Sequence, residues 1–231
     1  MPRVTPDDGR LAGCLAHRTQ RSGNDRGLPI ADPGVSENQT SPAPDAADRS
    51  VGGDGRSTLR ELTVAGGCFW CLDAVYRRVR GVQAVESGYT GGHTEDPDYR
   101  SVCSGTTGHA EAVRVLFDES VVPAEVIMDL FFTGHDPTTL NRQGHDIGTQ
   151  YRSALFPADA ADEQLFRESI ERHQPLWQDP IVTTIEPLGP WHRAEEVHQD
   201  FYSRQPYNGY CQVVINPKLA KVRQRYAQWL D

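Results

Sequence analysis

The sequence predicts an α+β domain: a mixed sheet with helices packed on it, organised around a split β-α-β (ferredoxin-like) core and preceded by a long disordered tail. Three observations carry this. From Met1 to Ser57 there is no Phe, Tyr or Trp, Pro, Gly, Ser, Asp and Arg dominate, and neither a helix nor a strand period repeats. Beyond that point short apolar runs alternate with amphipathic ones in the order βαβ, βα, βα, β. The first apolar run ends on Gly66-Gly67 and passes straight into a helical pattern opened by Cys68.

The tail cannot bury enough apolar surface to offset the entropy of ordering it, so residues 1–57 are expected to be disordered and residues 58–231 to form the folded domain. Leu62 to Ala65 reads as the first strand. Phe69 to Val79 reads as a helix, because Leu72, Val75, Tyr76 and Val79 fall on one face. Val82 to Ser87 follows as a strand, and Gly88-Tyr89-Thr90-Gly91-Gly92 as a loop. Ala110 to Phe117 reads as a buried strand, and Pro123 to Phe132 as a helix with proline in its first turn and Gly134 beyond its end. Gln150 to Phe156 is expected as a strand, Asp159 to His173 as a helix, Ile181 to Ile185 as a strand and Glu195 to Ser203 as one short helix. Asn216 to Leu230 closes the chain as an amphipathic helix carrying Leu219, Val222, Tyr226 and Trp229. Between the last two helices, Pro206 to Cys211 reads as a turn-rich loop holding a mobile cysteine.

Charge and hydropathy exclude several classes of function. The net charge of -9, without a dense basic run, argues against nucleic acid and anionic membrane as partners. No run approaches the roughly 20 apolar residues of a membrane span, and Leu11 to Ala16 is too short and broken for a secretory signal. A soluble, cytoplasmic, monomeric protein is expected, in which the triplet Asn38-Gln39-Thr40 is not a glycosylation site. The five cysteines, Cys14, Cys68, Cys71, Cys103 and Cys211, then read as thiol chemistry or metal binding rather than a disulfide framework.

Cys68 is the foremost candidate. A cysteine where a strand ends in glycines and a helix opens lies over backbone N–H groups and the positive end of the helix dipole, where a thiolate is favoured. Phe69 and Trp70 directly after it suit an apolar wall for a substrate group. Three other readings stand beside this: a buried inert cysteine, a metal site using the Cys68-x-x-Cys71 spacing with Cys103 or a histidine, and a thioredoxin-like redox pair. Glu111 stands at the mouth of an apolar strand, either as an ordinary solvated carboxyl or as one withdrawn from water and able to hold a proton at neutral pH. Asp146, between Gly144 and Gly148, marks a binding loop or a surface turn, and Tyr151 stands where a strand begins. Tyr99 packs, or points a phenol at a polarised oxygen. Gly91-Gly92 lacks the Gly-Lys-Ser/Thr continuation of a phosphate loop.

Six segments in order carry a family resemblance. They are Gly-Cys-Phe-Trp at 67–70, Ser-Gly-Tyr-Thr-Gly-Gly at 87–92, Cys-Ser-Gly-Thr-Thr-Gly-His-Ala-Glu at 103–111, His-Asp-Pro-Thr-Thr-Leu-Asn-Arg-Gln-Gly at 135–144, Gly-Thr-Gln-Tyr-Arg-Ser at 148–153 and Asn-Gly-Tyr-Cys at 208–211. From about Glu61 to Cys211 the chain resembles the A-type peptide methionine sulfoxide reductases, oxidoreductases that act on a sulfur group with a disulfide as acceptor.

The resemblance implies that Cys68 attacks the sulfoxide sulfur of methionine S-sulfoxide, in proteins or as the free amino acid, and that Glu111 protonates the oxygen. It implies that Tyr99 and Tyr151 hydrogen-bond that oxygen, that Phe69 and Trp70 hold the ε-methyl, and that Asp146 binds the substrate's polar backbone or polarises the site. The products are methionine and a sulfenic acid on Cys68, which a second thiol clears. Cys211 matches the family's C-terminal-loop cysteine, and thioredoxin is the implied reductant, in a protein-repair role under oxidative stress. No metal and no cofactor are implied. The further recycling cysteine that many members carry is absent from Gln212 to Pro217, so Cys211 acts alone or with Cys71, whose role is either bystander or resolving thiol. A helical i, i+3 spacing sets Cys71 at a disadvantage against Cys211. The competing reading is a zinc-stabilised peptide-binding module held by Cys68, Cys71, Cys103 and a histidine.

Overall fold

The computed structural model describes residues 58–231; the tail expected over residues 1–57, with Cys14 and the Asn38-Gln39-Thr40 triplet, lies outside the described residues. Strand β1 (Leu59–Gly66) leads into α1 (Phe69–Tyr76), and β2 (Val82–Thr90) returns along the sheet. A short helix α2 (Tyr99–Cys103) precedes β3 (Ala110–Asp118), followed by α3 (Ala124–Gly134) and a small hairpin of β4 (Arg142–Gln143) and β5 (Asp146–Ile147). The chain continues through β6 (Ser153–Phe156), α4 (Ala160–His173), β7 (Thr184–Ile185), β8 (His192–Arg193), α5 (Phe201–Arg204) and α6 (Asn216–Tyr226).

The six-stranded sheet has the order β7-β6-β1-β3-β2-β8 and is mixed, because β6 and β7 pair in parallel while its other neighbours are antiparallel. β3 lies between β1 and β2, so the β1-α1-β2 unit is split; β1 in turn separates β3 from β6. Alternation along the strands sorts two cores. Leu62, Val64, Val113, Val115 and Phe117 face the helices, where they pack with α1, α3 and α6 residues such as Leu72, Ile127, Phe131 and Val222. Ala65, Ala110, Ala112, Ala154 and Phe156 form a thin second layer covered by Leu188 and Trp191. The small residues on that face match a cover made of loop rather than helix.

The elements depart from the sequence reading where local hydrogen bonding competes with strand pairing. The strand expected from Gln150 begins only at Ser153, opposite Gly66, because Gly148 (φ 147°) turns the chain and Tyr151 N–H bonds to Gly148 O at 3.0 Å in a 3-10 turn. Of Ile181–Ile185 only Thr184 and Ile185 reach β6, and Val182 N–H is taken by Pro137 O at 2.8 Å. The helix expected over Glu195–Ser203 is cut in two by Asp200, whose left-handed backbone (φ 49°) separates a 3-10 turn at Glu196–His198 from α5. α1 stops at Tyr76, and α6 passes at Ala227 into a 3-10 turn. The loop expected to hold a mobile cysteine instead enters a π-helical turn, Cys211–Ile215, continuous with α6.

Candidate active site

The end of β1 sets the position of Cys68. Gly67 has φ +85°, and a Cβ there would lie 2.5 Å from Gln143 Cγ, so this residue answers both a left-handed backbone and a close approach. Cys68 is the N-cap of α1 (φ -59°, ψ 125°), outside the helix proper, and only 2% exposed. Period-two alternation along β3 puts Glu111 on the helix-facing side with Val113, Val115 and Phe117, directly against this N-terminus. Its Oε2 accepts the Phe69 N–H at 3.1 Å, and its carboxyl also hydrogen-bonds the Cys68 side chain. Glu111 therefore satisfies one of the unpaired first-turn donors of α1.

The electrostatics of the pair run opposite to the expectation for a thiol at a helix start. Burial, contact with the Cys71 side chain and the Glu111 carboxylate push the Cys68 thiol well above the usual thiol range. Burial likewise pushes Glu111 up to about 8, against the pull of the Phe69 N–H. The reason is that Cys68, Glu111 and Asp146 share a dry pocket, so each disfavours charge on its neighbours. The Glu111 carboxyl is accordingly a neutral acid at pH 7. Tyr99 and Tyr151, raised first by burial and next by Glu111, stay protonated and can donate.

An aromatic wall closes one side. Trp70 stacks on Phe201 with centroids 3.7 Å apart and planes 6° from parallel, and its Nε1–H donates to His198 Nδ1 at 3.2 Å. Phe69 and Trp70 each lie 6.5 Å from the Tyr99 ring, and His198 lies 4.3 Å from it. Tyr99 is placed by Glu195, which accepts the Tyr99 N–H at 2.8 Å and the Tyr89 hydroxyl at 2.9 Å. A cavity of about 380 Å³ opens on the outer side, lined by Tyr99 and His198 together with Asp98, Arg100, Glu195 and Val197.

Asp146, buried at the start of β5, accepts the Tyr210 hydroxyl at 2.6 Å. The same hydroxyl stands 3.9 Å from Cys71 Sγ. The structure thus brings Cys68, Phe69, Trp70, Tyr99, Glu111, Asp146 and Tyr151 together, with Cys71 in hydrogen-bonding contact with Cys68. Cys211 is also buried, and burial, with the Cys71 thiolate as a smaller cause, pushes its thiol up. Reasoning from sequence missed His198, Glu195 and Tyr210. Tyr210 was legible as the neighbour of Cys211, whereas nothing local marks His198. Among the described residues no group of three or more His, Cys, Asp or Glu side chains is placed to hold a metal ion.

The family model described as peptide methionine sulfoxide reductase matches residues 60–230. The chain is 63% identical over 172 residues to a peptide methionine sulfoxide reductase MsrA of Paenarthrobacter aurescens, covering 74% of this chain and 99% of that protein. It is 56% identical over 168 residues to the MsrA of Deinococcus radiodurans, covering 72% of this chain and 82% of the relative. Among solved structures it is similar to reduced Mxr1 of Saccharomyces cerevisiae (36% identity, TM-score 0.62, 66% of this chain and 89% of that one). It is also similar to methionine sulfoxide reductase A of Corynebacterium diphtheriae (33% identity, TM-score 0.63, 69% and 80%).

Proposed function

This chain belongs to the peptide methionine sulfoxide reductase family, and we propose that Cys68 is the residue on which it reduces methionine S-sulfoxide, with Glu111 as the proton donor. The observation that carries this is the pairing of a buried N-cap cysteine with a carboxyl whose proton is retained to about pH 8. A sulfoxide sulfur is a poor electrophile until its oxygen is protonated or hydrogen-bonded. Glu111 supplies that proton, and the neutral Tyr99 and Tyr151 hydroxyls donate to the same oxygen as charge develops on it. Cys68 sulfur attacks the sulfoxide sulfur, two electrons pass to the substrate, and the oxygen ends on Cys68 as a sulfenic acid while methionine leaves. The thiol proton returns to Glu111, so the site is ready for the next step. This also accounts for a thiol held protonated in the resting enzyme: the thiolate forms as Glu111 gives its proton to the substrate, not before.

Phe69 and Trp70 offer the ε-methyl an apolar surface. Asp146, fixed by Tyr210, supports the polar side of the pocket. The aromatic wall orients one face of the sulfoxide towards Cys68, which restricts reaction to one epimer. The cavity beside Tyr99 and His198 has room for the flanking peptide. A second thiol condenses with the sulfenic acid, releasing water, and thioredoxin reduces the resulting disulfide. Repair of oxidised proteins is the role that fits these steps. Among the described residues no helix is long and apolar enough to cross a membrane.

The test is reduction of separated S and R epimers of methionine sulfoxide with dithiothreitol. Methionine is expected from the S epimer alone. Absence of methionine from both would refute the assignment.

A further inference from the structure

Arg152 stands directly after Tyr151, its side chain 13% exposed, and each of its N–H groups meets an acceptor. Nε and Nη2 donate to the two oxygens of Glu186 at 2.9 and 2.8 Å. Nη1 donates to Gly108 O and Thr149 O, both at 3.1 Å, and Nη2 also donates to Gly91 O at 3.4 Å. These three carbonyls belong to the segments that lead to Glu111, Tyr151 and Tyr99 respectively. We propose that Arg152 is a positioning residue for the reduction: its guanidinium, oriented by Glu186, fixes the proton donor Glu111 and the two phenol donors relative to one another. This rests on the methionine sulfoxide reductase reading above and assigns what holds the donors of that site in register.

The sheet opens a gap that a side chain has to bridge. The ladder between β1 and β3 ends at Val64 and Val113, whereas that between β1 and β6 runs on to Gly66 and Ser153. Past Val113 no β1 residue pairs with β3, so the Glu111 end of β3 and the Tyr151 turn form two separate edges of the site. On the first edge, His109 joins the loop after β2 to the start of β3. Its Nδ1 accepts the Gly92 N–H at 3.2 Å, which leaves the proton on Nε2 for Thr94 O at 2.8 Å. Tyr99 and Glu111 therefore belong to one edge and Tyr151 to the other. Arg152 spans them, because its Nη1 reaches a carbonyl on each.

The parts suit a fixed clamp. Glu186 is itself held, since its N–H bonds to Leu155 O at 2.9 Å and Thr184 Oγ1 donates to its Oε1 at 2.7 Å. Against its burial, the bonds from Arg152 and Thr184 keep the Glu186 carboxyl below the usual carboxylate range, so the pair stays charged at neutral pH. Gly91 and Gly108 both have φ 74°, and a Cβ on Gly91 would lie 2.7 Å from Arg152 Nη2, an approach that glycine permits. A two-point ion pair combined with three carbonyls uses the planar fork of arginine, which the single ammonium nitrogen of lysine cannot reproduce. Loosening the clamp lets the Tyr151 hydroxyl drift from the oxygen that Glu111 protonates. A misplacement of about 1 Å is enough to slow such a step roughly 10²-fold.

The test is single-turnover reduction of a methionine-S-sulfoxide peptide by the full chain, with the folded fraction of each variant measured by urea denaturation. Arg152→Lys should slow the first turnover per folded molecule roughly 10- to 10²-fold. The half-saturating substrate concentration should stay within about twofold, since the groups that hold the ε-methyl are untouched. Glu186→Gln, which loosens the clamp without removing it, should slow the same step by a smaller factor and serves if Arg152→Lys does not fold. In a Tyr151→Phe background either substitution should cost less than about threefold, because the hydroxyl it positions is gone. First-turnover rates within about twofold of the parent, or a loss of equal size with and without the Tyr151 hydroxyl, would overturn the positioning role and leave the reductase reading standing. No methionine from the parent chain would overturn that reading and the positioning role with it.

Discussion

Replacing Glu111 by glutamine should damage catalysis and strengthen the fold, and the size of the second effect follows from the site. The carboxyl is buried at the contact of β3 with α1, and its proton is held to about pH 8 instead of the 4.5 of a solvated glutamate. In the unfolded chain it ionises at its ordinary value, so between these two values the native state binds one proton more than the unfolded state. Stability therefore falls as pH rises through that window, by about 1.4 kcal/mol per pH unit, and levels off above it. Between pH 5 and 8 this amounts to roughly 4 kcal/mol, an upper figure because water entry on ionisation relieves part of it. The glutamine amide of the variant still offers an oxygen to the Phe69 N–H and does not ionise. The assay is urea denaturation of both proteins at a series of pH values, with Asp73, itself raised to about 6 by burial, common to both. The Glu111→Gln curve should lie above the parent by a margin that widens from pH 5 to 8, while its single-turnover reduction slows roughly 10²-fold or more. Parallel stability curves would show that Glu111 is solvated or ionised in the native state, and the role of acid would go with it.

Cys68→Ser should abolish methionine formation while leaving the melting temperature near that of the parent, since a hydroxyl replaces a sulfur of similar size but is far less nucleophilic; measurable first-turnover product would refute the assignment. The first-turnover rate of the parent should decline as pH rises through about 8, where Glu111 loses its proton, and a rate that climbs instead would point to a pre-formed thiolate as the limiting species. Gly67→Ala should lower stability by about 1–3 kcal/mol in chemical denaturation, because the new Cβ sits on a left-handed backbone and meets Gln143. That contact displaces the bonds of Gln143 to Asp136 N–H (3.1 Å) and Asp136 O (3.0 Å), and an unchanged midpoint would contradict it. A chain beginning at Thr58 keeps the Thr58 O that accepts Glu119 N–H and all of β1, so it should retain fold and activity; loss of either would show that residues 1–57 contribute to the domain.

What the sequence determined by itself is what short-range physics encodes. An apolar run ending in Gly66-Gly67 and opening a helical pattern at Cys68 located the strand, the helix and the cysteine at their junction, since each depends on neighbours within a few residues. The apolar run Ala110–Phe117 likewise marked a strand with Glu111 at its mouth, while the side that Glu111 faces came only with the packed sheet. Only the tertiary structure decided what surrounds those residues. His198 reaches Trp70 across 128 positions and Tyr210 reaches Asp146 across 64, and no local pattern specifies either meeting. The direction in which the Cys68 thiol shifts is hidden from the sequence for the same reason: a helix start argues for a lowered value, but burial and the Glu111 carboxylate arrive from β3 and prevail. The cap dihedral is likewise set by the packed junction: Cys68 and Cys71 have the spacing of a helical pair, yet Cys68 stands outside the helix proper. Backbone propensity acts along the chain and is written there, whereas desolvation and thiol contacts act through space and exist only once the sheet and helices have packed.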